Sequence, residues 1–151
     1  MKSFILISIL VLALIGALDA SYLLVKTLES QPVACPSVPV GQFDLGQCNI
    51  VLFSSYAKTL SLPNALYGLV AYLLFGLLAL YELVQKKQTG TMKPLAYFSG
   101  LGVLAFVYFV YLQFFVIKAL CLYCLVSALV MALIFALSVA YNVKYSKNPG
   151  V

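Results

Sequence analysis

Residues 95–141 are almost unbroken in their apolarity, and this run limits the fold more than any other feature of the chain. As one helix it would be about 70 Å long, more than twice the thickness of a hydrocarbon core. It must break. Lys118 is the one charged residue in the run, so the least costly fold-back is expected at about 116–120, although neither Gly nor Pro marks a turn there. Two spans result, 95–117 and 120–141. Two more precede them, at 4–25 and 63–84, with Pro63 well suited to a first helical turn and Ser61 just before it. The fold class expected is an all-α integral membrane protein, a bundle of four transmembrane helices forming one membrane domain over 1–151. Its other segments are an outer loop over 26–62, an inner link over 85–94 and an inner tail over 142–151.

Composition agrees with a lipid setting: 64% of the 151 residues are hydrophobic and 9% charged, with a mean hydropathy of +1.08. An ordinary soluble domain is excluded. The stretch after Lys2 resembles a signal peptide, but Leu18-Asp19-Ala20 lacks a small residue at the third position before a cut, and the apolar run goes on to spanning length. Asp19 is the one acid within this span and is expected near the interface, toward its far end. All nine basic residues are lysines flanking apolar runs, which is membrane-edge chemistry and not a nucleic-acid patch. With both termini cytoplasmic, Lys2, Lys86, Lys87, Lys93, Lys144 and Lys147 lie inside, and Lys26, Lys58 and Lys118 outside. Six against three favours that orientation.

The same orientation gathers the chain's four cysteines on one face, the oxidising one. Histidine is absent, which removes imidazole bases and imidazole metal sites and leaves cysteine as the reactive side chain. Cys121-Leu122-Tyr123-Cys124 stands just after the expected fold-back. On a helix the pair at i, i+3 has β-carbons about 5–6 Å apart, a gap that local adjustment in a first turn can close to a reversible disulfide. N–H groups of the helix start favour a thiolate there, and apolar neighbours oppose it. Cys35 and Cys48 lie in the proline-bearing loop. Beyond them Ile50, Phe53, Ala57 and Leu60 recur at helical spacing against Ser54, Ser55, Lys58 and Thr59, as in a short amphipathic helix lying on the membrane as a lid. Three readings of the sulfurs stand side by side: a redox relay, structural cysteines and a metal-handling site. The last is disfavoured by the twelve residues between Cys35 and Cys48, where zinc sites usually have close-spaced pairs.

Taken together, Cys35…Cys48-Asn49-Ile50-Val51-Leu52-Phe53-Ser54-Ser55-Tyr56, Pro63-Asn64-Ala65-Leu66-Tyr67-Gly68 and Cys121-Leu122-Tyr123-Cys124 resemble the vitamin K epoxide reductase family over essentially the whole chain. That resemblance implies four helices around a quinone of ubiquinone or menaquinone type, with vitamin K also conceivable, and a lid helix over a loop cysteine pair. It is similar to a standalone prokaryotic member without a fused thioredoxin domain, in the plasma membrane with its active site extracytoplasmic, served by a thioredoxin-like (DsbA-like) soluble protein. By resemblance, Cys124 faces the quinone, Cys121 is its partner and exchanges with Cys48, and Cys35 receives electrons from the soluble protein. Ser54, or adjacent Ser55, matches a serine near the catalytic pair. Asn64 resembles an asparagine that hydrogen-bonds a quinone oxygen, although it also suits a polar role at the start of the second span. The vitamin K-reducing animal members carry Tyr four residues after the second Cys; Ala128 stands there instead, against a second quinone hydrogen bond and against vitamin K epoxide as substrate. The activity implied is quinone-dependent thiol–disulfide oxidoreduction in support of disulfide formation. Its rivals are a DsbB-like oxidase, whose Cys-x-x-Cys precedes its longer-spaced pair, and a cysteine-based metal-ion handling membrane protein.

Overall fold

A computed structural model describes residues 1–85 and 92–145; the inner link over 86–91 and the tail over 146–151 lie outside the described residues. In chain order the elements are α1 (Lys2–Leu28), β1 (Pro39–Val40), β2 (Phe43–Asp44), α2 (Cys48–Leu52), a 3₁₀ turn (Ser55–Ala57), β3 (Lys58–Thr59), β4 (Leu62–Pro63), α3 (Asn64–Gln85), α4 (Met92–Tyr111) and α5 (Leu122–Tyr145). A π-helical turn, Leu112–Ile117, continues α4. Four helices are long and apolar enough to cross a membrane, and the protein is a four-helix membrane bundle. Lipid offers no partner for a free N–H or C=O, so the apolar segments coil into helices that satisfy their backbones internally. They run slightly beyond the expected spans, with α1 three residues longer at its C-terminal end and α5 four residues longer.

Helices in lipid gain little from burying apolar surface and associate through close packing of small residues. On α1 the buried face includes Ala13, Gly16, Ala17 and Ala20, and it packs most extensively against α3. Gly16 is required by a close approach: a β-carbon there would lie 2.5 Å from the ring of Tyr72. Tyr72 is 1% exposed and its hydroxyl donates to the Ser127 carbonyl on α5 at 2.8 Å. One side chain thus couples three helices. At the opposite end from the loop, Tyr141 donates to buried Glu82 at 3.0 Å, and Lys2 Nζ lies 4.0 Å from the same carboxylate.

The long apolar run breaks where its one charge sits. Lys118 adopts the left-handed conformation, φ 55° and ψ 33°, which most residues enter only at a cost of about 1 kcal/mol or more. Gln113 closes the turn without Gly or Pro. Its carbonyl accepts from the Ala119 N–H at 3.1 Å, and its side-chain Oε1 accepts from the Cys121 N–H at 2.9 Å.

Two expectations change. The loop helix is shorter and earlier than the spacing of Ile50, Phe53, Ala57 and Leu60 suggests, because Leu60 and Ser61 take positive φ of 52° and 66°. Two successive left-handed residues form a tight hairpin turn, and β3 and β4 pair antiparallel across it. Asp19, expected near the interface, turns its carboxylate toward α5, where it accepts a hydrogen bond from Ser127. A carboxylate inside a bundle needs such a donor more than it needs water nearby.

Candidate active site

The loop forms a cap over the end of the bundle where α3 and α5 begin. Asp44 shapes it: its Oδ1 accepts from the N–H groups of Val38 and Gly46 at 3.1 and 2.9 Å, and its Oδ2 from Ser37 Oγ at 3.3 Å. Asn49 ties the cap to the descending chain through a reciprocal pair with Val33, at 2.7 and 3.3 Å. Cys35 and Cys48 are joined as a disulfide, with Cα atoms 6.1 Å apart. That pair is held against the second one. Gly46 bridges Cys121 as in an antiparallel ladder, Leu122 N–H donates to the Leu45 carbonyl at 3.2 Å, and Tyr123 Oη donates to the Ala34 carbonyl at 3.0 Å.

Both disulfide sulfurs approach that Leu45 carbonyl, Cys35 Sγ at 3.5 Å and Cys48 Sγ at 3.9 Å. Cys48 and Cys121 are fully buried in one apolar cluster with Val33, Val51, Leu52 and Ala119, and Cys35 and Cys124 pack on its edge. The four sulfurs therefore gather on one apolar cluster, Cys35 and Cys48 as a bonded pair and Cys121 and Cys124 as a free pair. Among the described residues, no group of His, Cys, Asp and Glu is placed to hold a metal ion.

Cys121 stands immediately before α5, and the Cys124 N–H donates to its sulfur at 3.3 Å. The neighbouring Cys124 thiol is the main influence holding Cys121 below the ordinary thiol range; the Cys124 and Tyr123 N–H groups act the same way, against the opposing effect of burial. A sulfur in that condition is a good leaving group in exchange.

Beneath the cap lies a cavity of about 230 Å³. Its walls are mostly apolar, with Leu52, Phe106, Phe109 and Met131 among them, and the polar groups on it include Ser54, Asn64 and Ser127. Cys124 is the cysteine that reaches it, while Cys35, Cys48 and Cys121 do not line it. Ser54 lines the cavity and donates to the Val51 carbonyl at 2.7 Å; Ser55 lies outside and is exposed. Asn64 has duties toward the cap: its Oδ1 accepts from Thr59 Oγ1 at 2.7 Å and its Nδ2 donates to the Tyr56 carbonyl at 2.8 Å. Nδ2 carries two hydrogens, and the Tyr56 carbonyl takes one. An apolar slot with a few hydrogen-bonding groups at one end fits a planar dicarbonyl ring.

Sequence reasoning missed three participants. Gln113 was signalled by being the single amide of the long apolar run, Asn49 by its position directly after Cys48, and Ser127 by nothing, since Asp19, the one acid of its span, stands 108 positions away. Among family models, the one described as the vitamin K epoxide reductase family matches residues 7–139. No curated protein matches the chain significantly.

Proposed function

The chain belongs to the vitamin K epoxide reductase family, whose members are membrane oxidoreductases of disulfide and quinone chemistry, and on that premise we propose that it oxidises a thioredoxin-like soluble protein and passes the electrons to a quinone. The observation that carries this reading is the division of labour among the sulfurs. Cys124 alone among them lines the apolar cavity, while Cys121 is bridged to the segment that leads into Cys48.

A thiolate of the soluble partner attacks Cys35, the less buried sulfur of the loop disulfide, and the partner's second thiol closes its own disulfide. Cys35 and Cys48 are left reduced. Cys48 then attacks Cys121 of an oxidised Cys121–Cys124 pair, and Cys124 leaves with the proton that Cys48 gives up. Cys35 resolves the Cys48–Cys121 bond and restores the loop disulfide, its proton passing to the released Cys121. Two electrons now reside on Cys121 and Cys124. A bound quinone supplies the sink, taking up two electrons and two protons. The second Nδ2 hydrogen of Asn64 would hold one of its oxygens, and Ser54 Oγ, whose own hydrogen goes to the Val51 carbonyl, would accept from the hydroquinone hydroxyl beneath the cap. In this reading the cysteine end of the bundle faces the extracytoplasmic side of a prokaryotic plasma membrane, with both termini inside, as the lysines favour.

The test uses purified protein in vesicles with a reduced thioredoxin-like protein and a short-chain ubiquinone or menaquinone. Cys124→Ala is expected to abolish quinone reduction while accumulating a Cys48–Cys121 mixed disulfide, formed as the unpaired Cys121 thiolate attacks Cys48 of the loop disulfide and expels Cys35, and seen by mass spectrometry of alkylated peptides. Normal turnover in that variant would overturn the relay.

A further inference from the structure

Closing a disulfide from two thiols releases two protons as well as two electrons, and the relay described above assigns the protons no carrier. Cys124 packs on an apolar cluster, so the proton that leaves it calls for an acceptor built into the protein. One carboxylate is placed for it. Asp19, half-buried on α1 well inside the bundle, accepts a hydrogen bond from Ser127 Oγ. Ser127 follows Cys124 by three residues on α5, so the two side chains share a helix face, and both line the cavity. An ionisable group at membrane depth with a specific donor is a functional candidate by default, since lipid penalises it otherwise. The charge of Asp19 also reaches Cys121, where it opposes the thiolate.

Resting on the function proposed above, we infer that Asp19 is the proton-holding residue of the quinone end, acting through Ser127. Cys124 Sγ–H transfers its proton to Ser127 Oγ as that hydroxyl passes its own proton to Asp19 Oδ2. Carboxylate and thiol become carboxylic acid and thiolate, with no net change of charge. When Cys121 Sγ and Cys124 Sγ bond to each other, two electrons leave the sulfurs for the quinone. The proton stored on Asp19 returns through Ser127, and the second comes from the Cys121 thiol. Two thiols and a quinone give one disulfide and one hydroquinone, and Asp19 ends as it began. Asp19 touches no reacting atom and is a positioning residue in that sense. The titratable groups facing it from the helices packed on α1 are Tyr72 from α3, and Cys121 and Cys124 at the head of α5.

Infrared difference spectroscopy on quinone-free protein reads this without turnover. Opening the Cys121–Cys124 disulfide with dithiothreitol is expected to change a carboxylic-acid carbonyl band. That band should vanish in Asp19→Asn, return in Asp19→Glu and shift in Ser127→Ala. The serine variant keeps the backbone carbonyl that Tyr72 uses, so it serves also if the asparagine variant does not fold. Quinone reduction by Asp19→Asn should fall roughly tenfold or more, as for loss of a general acid–base group, with a flattened pH profile. Wild-type and Ser127→Ala spectra that superimpose, or a band that survives Asp19→Asn, overturn the inference alone. Wild-type protein that reduces no quinone overturns the proposed function, and this inference with it.

Discussion

Cys121 combines full burial with a position just ahead of a helix, and the two act in opposite senses on its thiol. The Cys124 thiol beside it tips the balance, with N–H groups of the first turn adding to it, so Cys121 titrates below the ordinary thiol value. The thiolate is the reactive form, and with the pKa lowered it persists at pH values where a free thiol is largely protonated; reactivity is lost only as the pH falls through the lowered value. Alkylation of reduced Cys121 by iodoacetamide, followed by mass spectrometry across pH, should therefore have a midpoint below that of an ordinary thiol. In Cys124→Ala, which removes the largest cause, that midpoint should move upward. A midpoint that stays put would show that the helix start alone sets the acidity of Cys121. The spacing of the motif is compatible with such a thiolate, but the sequence left helix start and burial opposed, and the placement of Cys124 beside Cys121 decides between them.

The segment from α2 to α3 is braced by one amide. Asn64 holds Thr59 with its oxygen and the Tyr56 carbonyl with its nitrogen, bracing the hairpin of β3 and β4 against the first turn of α3. Each such bond contributes about 0.5–1.5 kcal/mol, toward the lower figure where water competes. Asn64→Ala is expected to increase hydrogen exchange of amides in residues 56–63 about tenfold, leaving the middle of α3 protected, and to raise the apparent quinone requirement. Unchanged exchange would remove the bracing role and leave Asn64 only its place on the cavity wall. The helical spacing of Ile50, Phe53, Ala57 and Leu60 misleads because nothing local announces two successive left-handed residues at Leu60 and Ser61. Neither is Gly or Asn, and the hairpin is held by pairing and by Asn64. The break near Lys118 was legible, since one charge within a run too long for the bilayer leaves few places to turn. How it turns was not, because Gln113 supplies the hydrogen bonds that a Gly-based turn would otherwise provide.

At the scale of the bundle, α1, α3 and α5 meet at Tyr72, whose ring lies against Gly16 and whose hydroxyl reaches Ser127. Gly16→Ala would place a methyl 2.5 Å from that ring, which is pinned from the far side. The helices must separate or the ring must leave its rotamer, at about 1–3 kcal/mol for overpacking of this kind. A lower thermal midpoint in detergent, reversed in part by Tyr72→Leu in the same chain, is the expected outcome. An unchanged midpoint would mean that the packing of α1 on α3 is loose enough to absorb a methyl group. Because Tyr72 lines the cavity, the variant should also reshape the slot beneath the cap.

By itself the sequence determined how many times the chain crosses the membrane and which side chains are the candidates for its chemistry. Both follow from one-dimensional quantities: an apolar length set against the thickness of a bilayer, and the four cysteines left as the reactive groups of a chain without histidine. Which side of each helix faces its neighbours is of another kind. Lipid accepts apolar residues on every face, so periodicity does not distinguish the buried Ala13, Gly16 and Ala20 of α1 from the lipid-facing Leu14 and Leu18. Only the tertiary structure turns Asp19 toward Ser127, puts Ser54 and not Ser55 on the cavity, and sets Gly46 against Cys121. Each of these depends on contacts between segments far apart in the chain, which no local pattern encodes.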